Sequence, residues 1–258
     1  MGTIADKLNY LNETKEAIKT SIINKGVEVS DTDTFRSYAE KIDSIEAGGG
    51  GWDTSQMTSC RSMFYQNKNM TEAPHFNTEN VTDMQYMFSG CSNLENLPNY
   101  NTAKVTNMNY FVYGCSKIVE FPALDFSSTT QIDQMCGNCL ALQKVPLLYA
   151  GKITKVSTYV FSNCSSLVDF GGLKNLGMAY TQKLNNYSAY SFGVNASTKL
   201  THESLMNIIN NLYDLNVTYD VTNGGTLYTQ TLQLGSTNMA KLTADEIAIA
   251  TNKGWVVS

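Results

Sequence analysis

The sequence predicts an α/β chain built on a short solenoid, whose stacked coils form a column of parallel strands. A helical hairpin module precedes it and an α+β cap closes it. Three observations predict this. The four prolines fall at Pro74, Pro98, Pro122 and Pro146, each 24 residues from the next. Cysteine keeps nearly the same interval at Cys91, Cys115, Cys139 and Cys164, spaced 24, 24 and 25. Apolar residues follow each cysteine by three (Leu94, Ile118, Leu142, Leu167) and by six (Leu97, Phe121, Val145, Phe170). Others precede the cysteine position: Met63-Phe64, Met87-Phe88, Phe111-Val112 and Val160-Phe161. A unit of this kind cannot bury its own apolar face, but stacked units cover one another.

Within a coil, Cys-x-x-Leu-x-x-Leu-Pro reads as a short strand entering a corner. Proline has no N–H for a sheet ladder, so it suits the strand's end. Successive strands lie parallel, about 4.7–4.9 Å apart, so like positions form columns. Gln66, Gly90, Gly114, Asn138 and Asn163 precede the cysteine position, and Gly and Asn suit backbone of positive φ. The cysteine column reads as small buried hydrophobes. Cys136 stands at the repeat position of Phe88, and Cys60 at that of Met84 and Met108. Cys136-x-x-Cys139 is therefore read as core, since no second pair or His pair completes four metal ligands. Column neighbours point the same way, which is poor geometry for a disulfide.

The segments Val81-Thr-Asp-Met-Gln-Tyr-Met-Phe-Ser-Gly-Cys-Ser-Asn-Leu94 and Val105-Thr-Asn-Met-Asn-Tyr-Phe-Val-Tyr-Gly-Cys-Ser-Lys-Ile118 resemble BspA-type leucine-rich repeats. The resemblance covers about half of the chain. It implies a leucine-rich-repeat solenoid and an adhesive role, in a group that includes bacterial surface adhesins and bacteriophage proteins.

Four regions follow in order. Residues 1–47 read as a helical module. Ile4, Leu8, Leu11, Lys15, Ile18 and Ile22 step by 4, 3, 4, 3 and 4, a 3.5-residue repeat. Two readings stay open: a helix packed on its hairpin partner, or a parallel oligomer seam with Lys15 inside it. Lys25-Gly26 ends this helix, and Asp31 to Thr34 offer N-caps for a second, about Phe35 to Ile45. Residues 48–51 are a glycine linker and 52–172 the solenoid. Residues 173–258 are the cap. In it, Thr201 caps a helix through about Tyr213, and Asn223-Gly224-Gly225 predicts a hairpin between Val217–Val221 and Thr226–Leu234. Thr243-Ala-Asp-Glu246 is a capping box for a last helix, Gly254 stops it, and Trp255-Val-Val forms a strand.

The N-terminal segments Thr14-Lys-Glu-Ala-Ile18, Asn24-Lys-Gly-Val27 and Asp33-Thr-Phe35-Arg-Ser-Tyr38-Ala-Glu-Lys-Ile42 resemble a small module at the start of bacteriophage tail and fibre proteins. That resemblance implies attachment to other virion proteins, location in the virion, and a homo-oligomer, most simply a trimer.

Composition narrows the function classes. The 18 basic and 23 acidic residues give a net charge of −5, with no basic stripe to displace counterions, which argues against nucleic acid. A surface rich in Asn, Ser, Thr and Tyr suits sugars or protein surfaces better than membranes. No run approaches the roughly 20 apolar residues of a spanning helix. The start lacks the apolar core of a secretory signal, so export by that route is not expected. His75 and His202, the two histidines, lack spacing partners, and no Gly-rich phosphate loop or Gly-x-Ser-x-Gly elbow occurs. A non-enzymatic chain without metal or cofactor is expected. The candidate binding residues are tyrosines. Tyr86, Tyr110, Gln134 and Tyr159 lie five before the cysteine, while Tyr65 and Tyr113 lie two before its position. Tyrosine gives a large contact area at low entropic cost, with one polar handle. The rings either pack along the edge of the stack or contact a partner, here a host-surface glycan or protein.

Overall fold

A computed structural model describes residues 15–16, 18–19, 54–154, 156–181, 191–216 and 229–258. The chain divides into two compact units, Met1–Gln56 with Pro74–Thr78, and Met57–Ala73 with Glu79–Ser258. In the first, Lys15, Glu16, Ile18 and Lys19 are helical, with Lys15 and Ile18 half-buried. Lys19 approaches Glu16 at 4.0 Å. The other seam positions, Ile4, Leu8, Leu11 and Ile22, lie outside the described residues, as do the second helix and the glycine linker.

The second unit is a stack of coils. Parallel bridges join Ser59, Asp83, Asn107 and Gln131 in turn, each 24 residues from the last. A second column runs through Glu72 to Asn96 and Glu120 to Lys144. It continues where strand β1 (Lys144–Val145) pairs in parallel with β3 (Asp169–Phe170), and beside it β2 (Leu148–Tyr149) pairs with β4 (Leu173–Lys174). These are the small parallel sheets expected of an α/β repeat. Strand β1 ends where Pro146, which has no N–H for a ladder, follows Val145. A threonine ladder ties one edge: the N–H and Oγ1 of Thr82, Thr106, Thr130 and Thr154 all donate to the carbonyl of the threonine one coil earlier.

Between these columns the chain makes a run of tight turns. From Cys60 to Gln66, alternate N–H groups donate to carbonyls 23 residues ahead, such as Phe64 to Met87 at 2.9 Å, and the N–H groups between them close turns within the coil. The pattern repeats from Met84 to Gly90 and from Met108 to Gly114. In the next coil the offset becomes 24, as in Cys136 to Val160. One inserted residue between Thr154 and Val160 thus accounts for the 25-residue cysteine interval.

The apolar columns are the core. Leu94, Ile118, Leu142 and Leu167 are buried, as are Phe121, Val145 and Phe170. Phe88 lies against Phe64 at 5.3 Å and Phe111 at 5.7 Å, so aromatic contact runs along the stack. The six cysteines are buried and free. They do more than fill space: the thiols of Cys91, Cys115 and Cys139 donate to the carbonyls of Phe64, Phe88 and Val112 at 3.0, 3.1 and 3.2 Å. Those carbonyls also accept a backbone N–H of their own coil, from Asn67, Cys91 and Cys115 in turn, so the small thiol bridges two coils without needing a strong partner.

The stack ends in a cap. Helix α1 spans Met178–Thr181 and α2 spans His202–Asn211, burying Leu205, Ile208 and Ile209. Thr201 caps α2, accepting from the N–H of Ser204. The last strand edge is covered by side-chain chemistry instead of a further strand. Ser204 Oγ donates to the Val168 carbonyl at 3.1 Å and accepts the Phe170 N–H at 2.9 Å, as a neighbouring strand would. Just beyond, Gly171 passes so close to Leu147 that a Cβ would run into its backbone nitrogen. Ser204→Ala should therefore leave the buried Phe170 N–H unpaired and cost about 1–3 kcal/mol. A loss below roughly 0.5 kcal/mol in denaturant unfolding would mean that this edge needs no cover.

Strands β5 (Ser191–Gly193), β6 (Thr231–Gln233) and β7 (Val256–Val257) form one parallel sheet with β6 in the middle. This corrects the expected hairpin over its described part: Thr231–Gln233 has a parallel neighbour on each side, so no antiparallel partner can pair there. The remainder of that hairpin, residues 217–228, lies outside the described residues. Short helix α3 (Ser236–Met239) and helix α4 (Ala244–Asn252) supply the crossover, and α4 opens with the capping box of Thr243 and Glu246. Trp255 is buried, and its Nε1 donates to the Tyr213 carbonyl at 3.0 Å. Lys253 Nζ donates to the carbonyls of Ile209, Asn210 and Leu212, capping the end of α2. Burial lowers the pKa of this ammonium, and Asp214 opposes the shift.

Candidate functional site

The tight-turn run positions the tyrosines. Turns Met84–Met87 and Phe88–Cys91 close by hydrogen bonds from the fourth residue to the first. Their third residues, Tyr86 and Gly90, have φ of 57° and 80°, as a type II turn demands. The column before the cysteine is left-handed throughout: Gln66, Gly90, Gly114, Asn138 and Asn163 all have positive φ. The sequence reading missed a second left-handed column four residues earlier, formed by Ser62, Tyr86, Tyr110 and Gln134. Its signal was hidden because two of its members are tyrosine, a residue that seldom signals positive φ.

The coils bring four of the five candidate tyrosines together. Tyr86 and Tyr110 stack with centroids 4.7 Å apart and planes at 21°. Tyr65 meets Tyr86 edge to face at 6.1 Å, and Tyr113 meets Tyr110 at 5.6 Å and 60°. Gln134 takes the ladder's next rung, its Nε2 donating to the Tyr110 hydroxyl at 2.7 Å. Tyr113 lies against Gly137 of the next coil, where a Cβ would sit 2.9 Å from the ring. The fifth, Tyr159, makes no ring contact among the described residues and is 58% exposed. It is also absent from the left-handed column, since the inserted residue changes the local path.

Beside the rings runs a ladder of amides and acids. Asn107 Nδ2 donates to Gln85 Oε1 at 3.2 Å, and Asn109 Nδ2 to Gln131 Oε1 at 2.9 Å. Asn109 Oδ1 accepts the Asp133 N–H at 2.6 Å, and Asp133 accepts the Ser157 hydroxyl. Arg61 reaches Asp83 at 3.5 Å. The pKa of Tyr110 is raised, first by burial and then by the Asp133 charge and its tyrosine neighbours, against the bond from Gln134.

A second feature lies on the strand side. The strand column is not bridged between Asn96 and Glu120 among the described residues, and a cleft of about 640 Å³ opens there. Leu97, Val119, Phe121 and Pro122 line it, with Lys117 and Glu95 facing each other at 3.9 Å.

Catalytic features are sparse among the described residues. His202 gains a partner that sequence spacing did not reveal: its Nε2 lies 2.8 Å from Glu246 Oε1, joining α2 to α4. Glu246 holds its proton less tightly than usual, chiefly because the Thr243 N–H and hydroxyl bond to it, so this carboxylate serves the helix cap. No group of three His, Cys, Asp or Glu side chains suited to a metal occurs among the described residues, and no described helix is long and apolar enough to cross a membrane. The thiols are held protonated. Burial pushes Cys60 and Cys164 up to about 12, and raises Cys91, Cys115, Cys136 and Cys139 as well.

Two families match parts of the chain. Residues 32–147 match the family described as "Mycoplasma protein of unknown function, DUF285". Residues 130–242 match the "BspA type Leucine rich repeat region", in six copies. No curated protein and no solved structure matches. Neither matched description names a bacteriophage module. The second match runs past Gly172, where the 24-residue period ends, into the cap. The chain thus contains a region similar to BspA-type leucine-rich repeats, while Tyr65, Tyr86, Tyr110 and Tyr113 precede it and lie within the match over residues 32–147.

Proposed function

We propose that this chain is a non-enzymatic recognition protein whose stacked repeats form a leucine-rich-repeat solenoid that binds a host surface through its tyrosine face. The observation that carries this reading is the contiguous cluster of Tyr65, Tyr86, Tyr110 and Tyr113, built by four separate turns of three successive coils. Partly exposed rings beside hydrogen-bonding amides are the chemistry of an adaptable contact surface. The similarity to BspA-type repeats supports an adhesive role. Labelled chain should bind intact host cells saturably, and unlabelled chain should compete; absence of saturable binding would overturn the reading.

The setting we propose is a bacteriophage tail or fibre, with residues 1–47 attaching the chain to other virion proteins. Its support is the resemblance of the N-terminal segments and the 3.5-residue steps of Ile4, Leu8, Leu11, Lys15, Ile18 and Ile22. The same resemblance implies a homotrimer. Light scattering at micromolar concentration should give three times the 28.5 kDa chain mass, and a clean monomer would rule the seam out. The second reading is a bacterial surface adhesin, supported by the match to a mycoplasma family over residues 32–147. Immunodetection decides between them: signal in purified virions supports the tail component, and signal on intact cells of the producing bacterium supports the adhesin.

A further inference from the structure

Resting on the recognition reading above, we propose that the tyrosine ladder binds an uncharged glycan chain laid along the direction in which the coils stack. The first ground is backbone geometry. Tyr86 and Tyr110 both sit at φ 57°. The left-handed region costs an L-residue with a Cβ about 1–2 kcal/mol, which glycine escapes. The parallel left-handed column uses Gly90, Gly114, Asn138 and Asn163, with Gln66 in the first coil, for the same task. Tyrosine has no short polar side chain to bond locally there, so two consecutive coils carry rings at positions the backbone would give to glycine. Strain retained at a surface position points to a use for the side chain.

The second ground is what the rings present. Within the ladder Tyr86 and Tyr110 cover each other's faces, so they offer ring edges and hydroxyls outward. The Tyr110 hydroxyl accepts from Gln134 and so keeps its own proton to donate. Tyr65, at one end of the cluster, is 51% exposed and has open ring surface, and Tyr159, set apart one coil beyond Gln134, is 58% exposed. A sugar chain matches both: its C–H faces lie on open rings and its hydroxyls meet a row of tyrosine hydroxyls and amides. The third ground is charge. Asp133 places a negative charge near Tyr110, and beside the amide ladder Arg61 is paired with Asp83. An anionic polymer would be repelled. Tyr86 and Tyr110 repeat one group across a single coil step, their centroids 4.7 Å apart, and Gln134 continues the row with a polar amide, which suits a repeating polymer better than an irregular protein epitope.

The test uses the full chain on an array of neutral, sialylated and sulfated glycans, alongside the double variant Tyr86→Gly/Tyr110→Gly. Wild type should bind neutral chains over anionic ones. The double variant should lose about tenfold or more in affinity while its melting temperature holds or rises, because glycine relieves the left-handed backbone. A melting temperature that drops with binding unchanged would make the rings packing residues and overturn the proposal. So would preferential binding of anionic glycans. Should the glycine variant fail to fold, Tyr65→Ser, at the exposed end of the cluster, must weaken binding in the same direction. Wild type that binds cells but no glycan, with cell binding abolished by protease treatment of the cells, would overturn the glycan assignment and leave the recognition reading standing. Wild type that binds neither would remove both.

Discussion

Raising the pH from 9 to 10 should cost this protein several kcal/mol of stability, more than most single substitutions could. Six thiols are buried, and burial raises the pKa of every one of them, to about 12 for Cys60 and Cys164. The unfolded chain ionises near the ordinary thiol value of 9.0. Above it the unfolded state has released protons that the folded state still holds, so the equilibrium shifts toward unfolding. The stabilising contribution is whole below about pH 9 and is lost progressively up to the folded values. A deeply buried thiol contributes at most about 1.4 kcal/mol per pH unit inside that window, and the effects of Cys115, Cys136, Cys139 and Cys164 accumulate. Urea unfolding at pH 8.0, 9.0, 9.5 and 10 measures the slope before most tyrosines and lysines titrate. A variant with Cys115→Val and Cys139→Val should show a shallower slope, whatever its stability at pH 8. Stability that is level from pH 9 to 10 would mean that the thiols are open to solvent.

Phe88→Ala should destabilise the chain by about 3–5 kcal/mol, the range for removing a large side chain from a packed interior. Phe88 is fully buried, with Phe64 stacked at 5.3 Å, Phe111 at 5.7 Å and Tyr100 at 6.2 Å. These rings come from neighbouring coils that backbone bonds hold at a set spacing, so they cannot collapse into the gap. Phe64→Ala, at the half-buried equivalent in the first coil, should cost markedly less. Since a coil touches mainly its neighbours, amide exchange should rise first around Met84–Cys91 and Met108–Cys115. A Phe88→Ala loss below about 1 kcal/mol, or one equal to that of Phe64→Ala, would contradict a continuous shared core.

The repeat was legible because its physics is local in register. A 24-residue interval that recurs three times along the prolines assigns Leu94, Ile118 and Leu142 to one column before any coordinate is seen, and all three are buried. Caps were legible for the same reason: Thr201 with Ser204, and Thr243 with Glu246, interact within one helical turn. The cap's sheet was not legible. Asn223-Gly224-Gly225 carries a true turn signal, yet which strands lie beside Thr231–Gln233 depends on segments some 40 and 25 residues away. The His202–Glu246 pair escaped for the same reason, with 44 residues between its partners.

The candidate site divides along the same line. Spacing alone aligned Tyr86 with Tyr110 on adjacent coils and placed Tyr65 and Tyr113 in a second column two coils apart, because residues at equal phase of a periodic chain share a column. Only the folded coils decided that the two columns merge into one cluster, that Tyr86 and Tyr110 take left-handed backbone, and that an inserted residue near Thr154 sets Tyr159 apart. Only they gave the cysteines a second duty as donors between coils, and replaced the strand beyond Phe170 with the hydroxyl of Ser204. Periodicity specifies which residues share a column. The direction a side chain takes, and the group it bonds, follow from turn dihedrals and from contacts between distant segments, which a linear pattern does not contain.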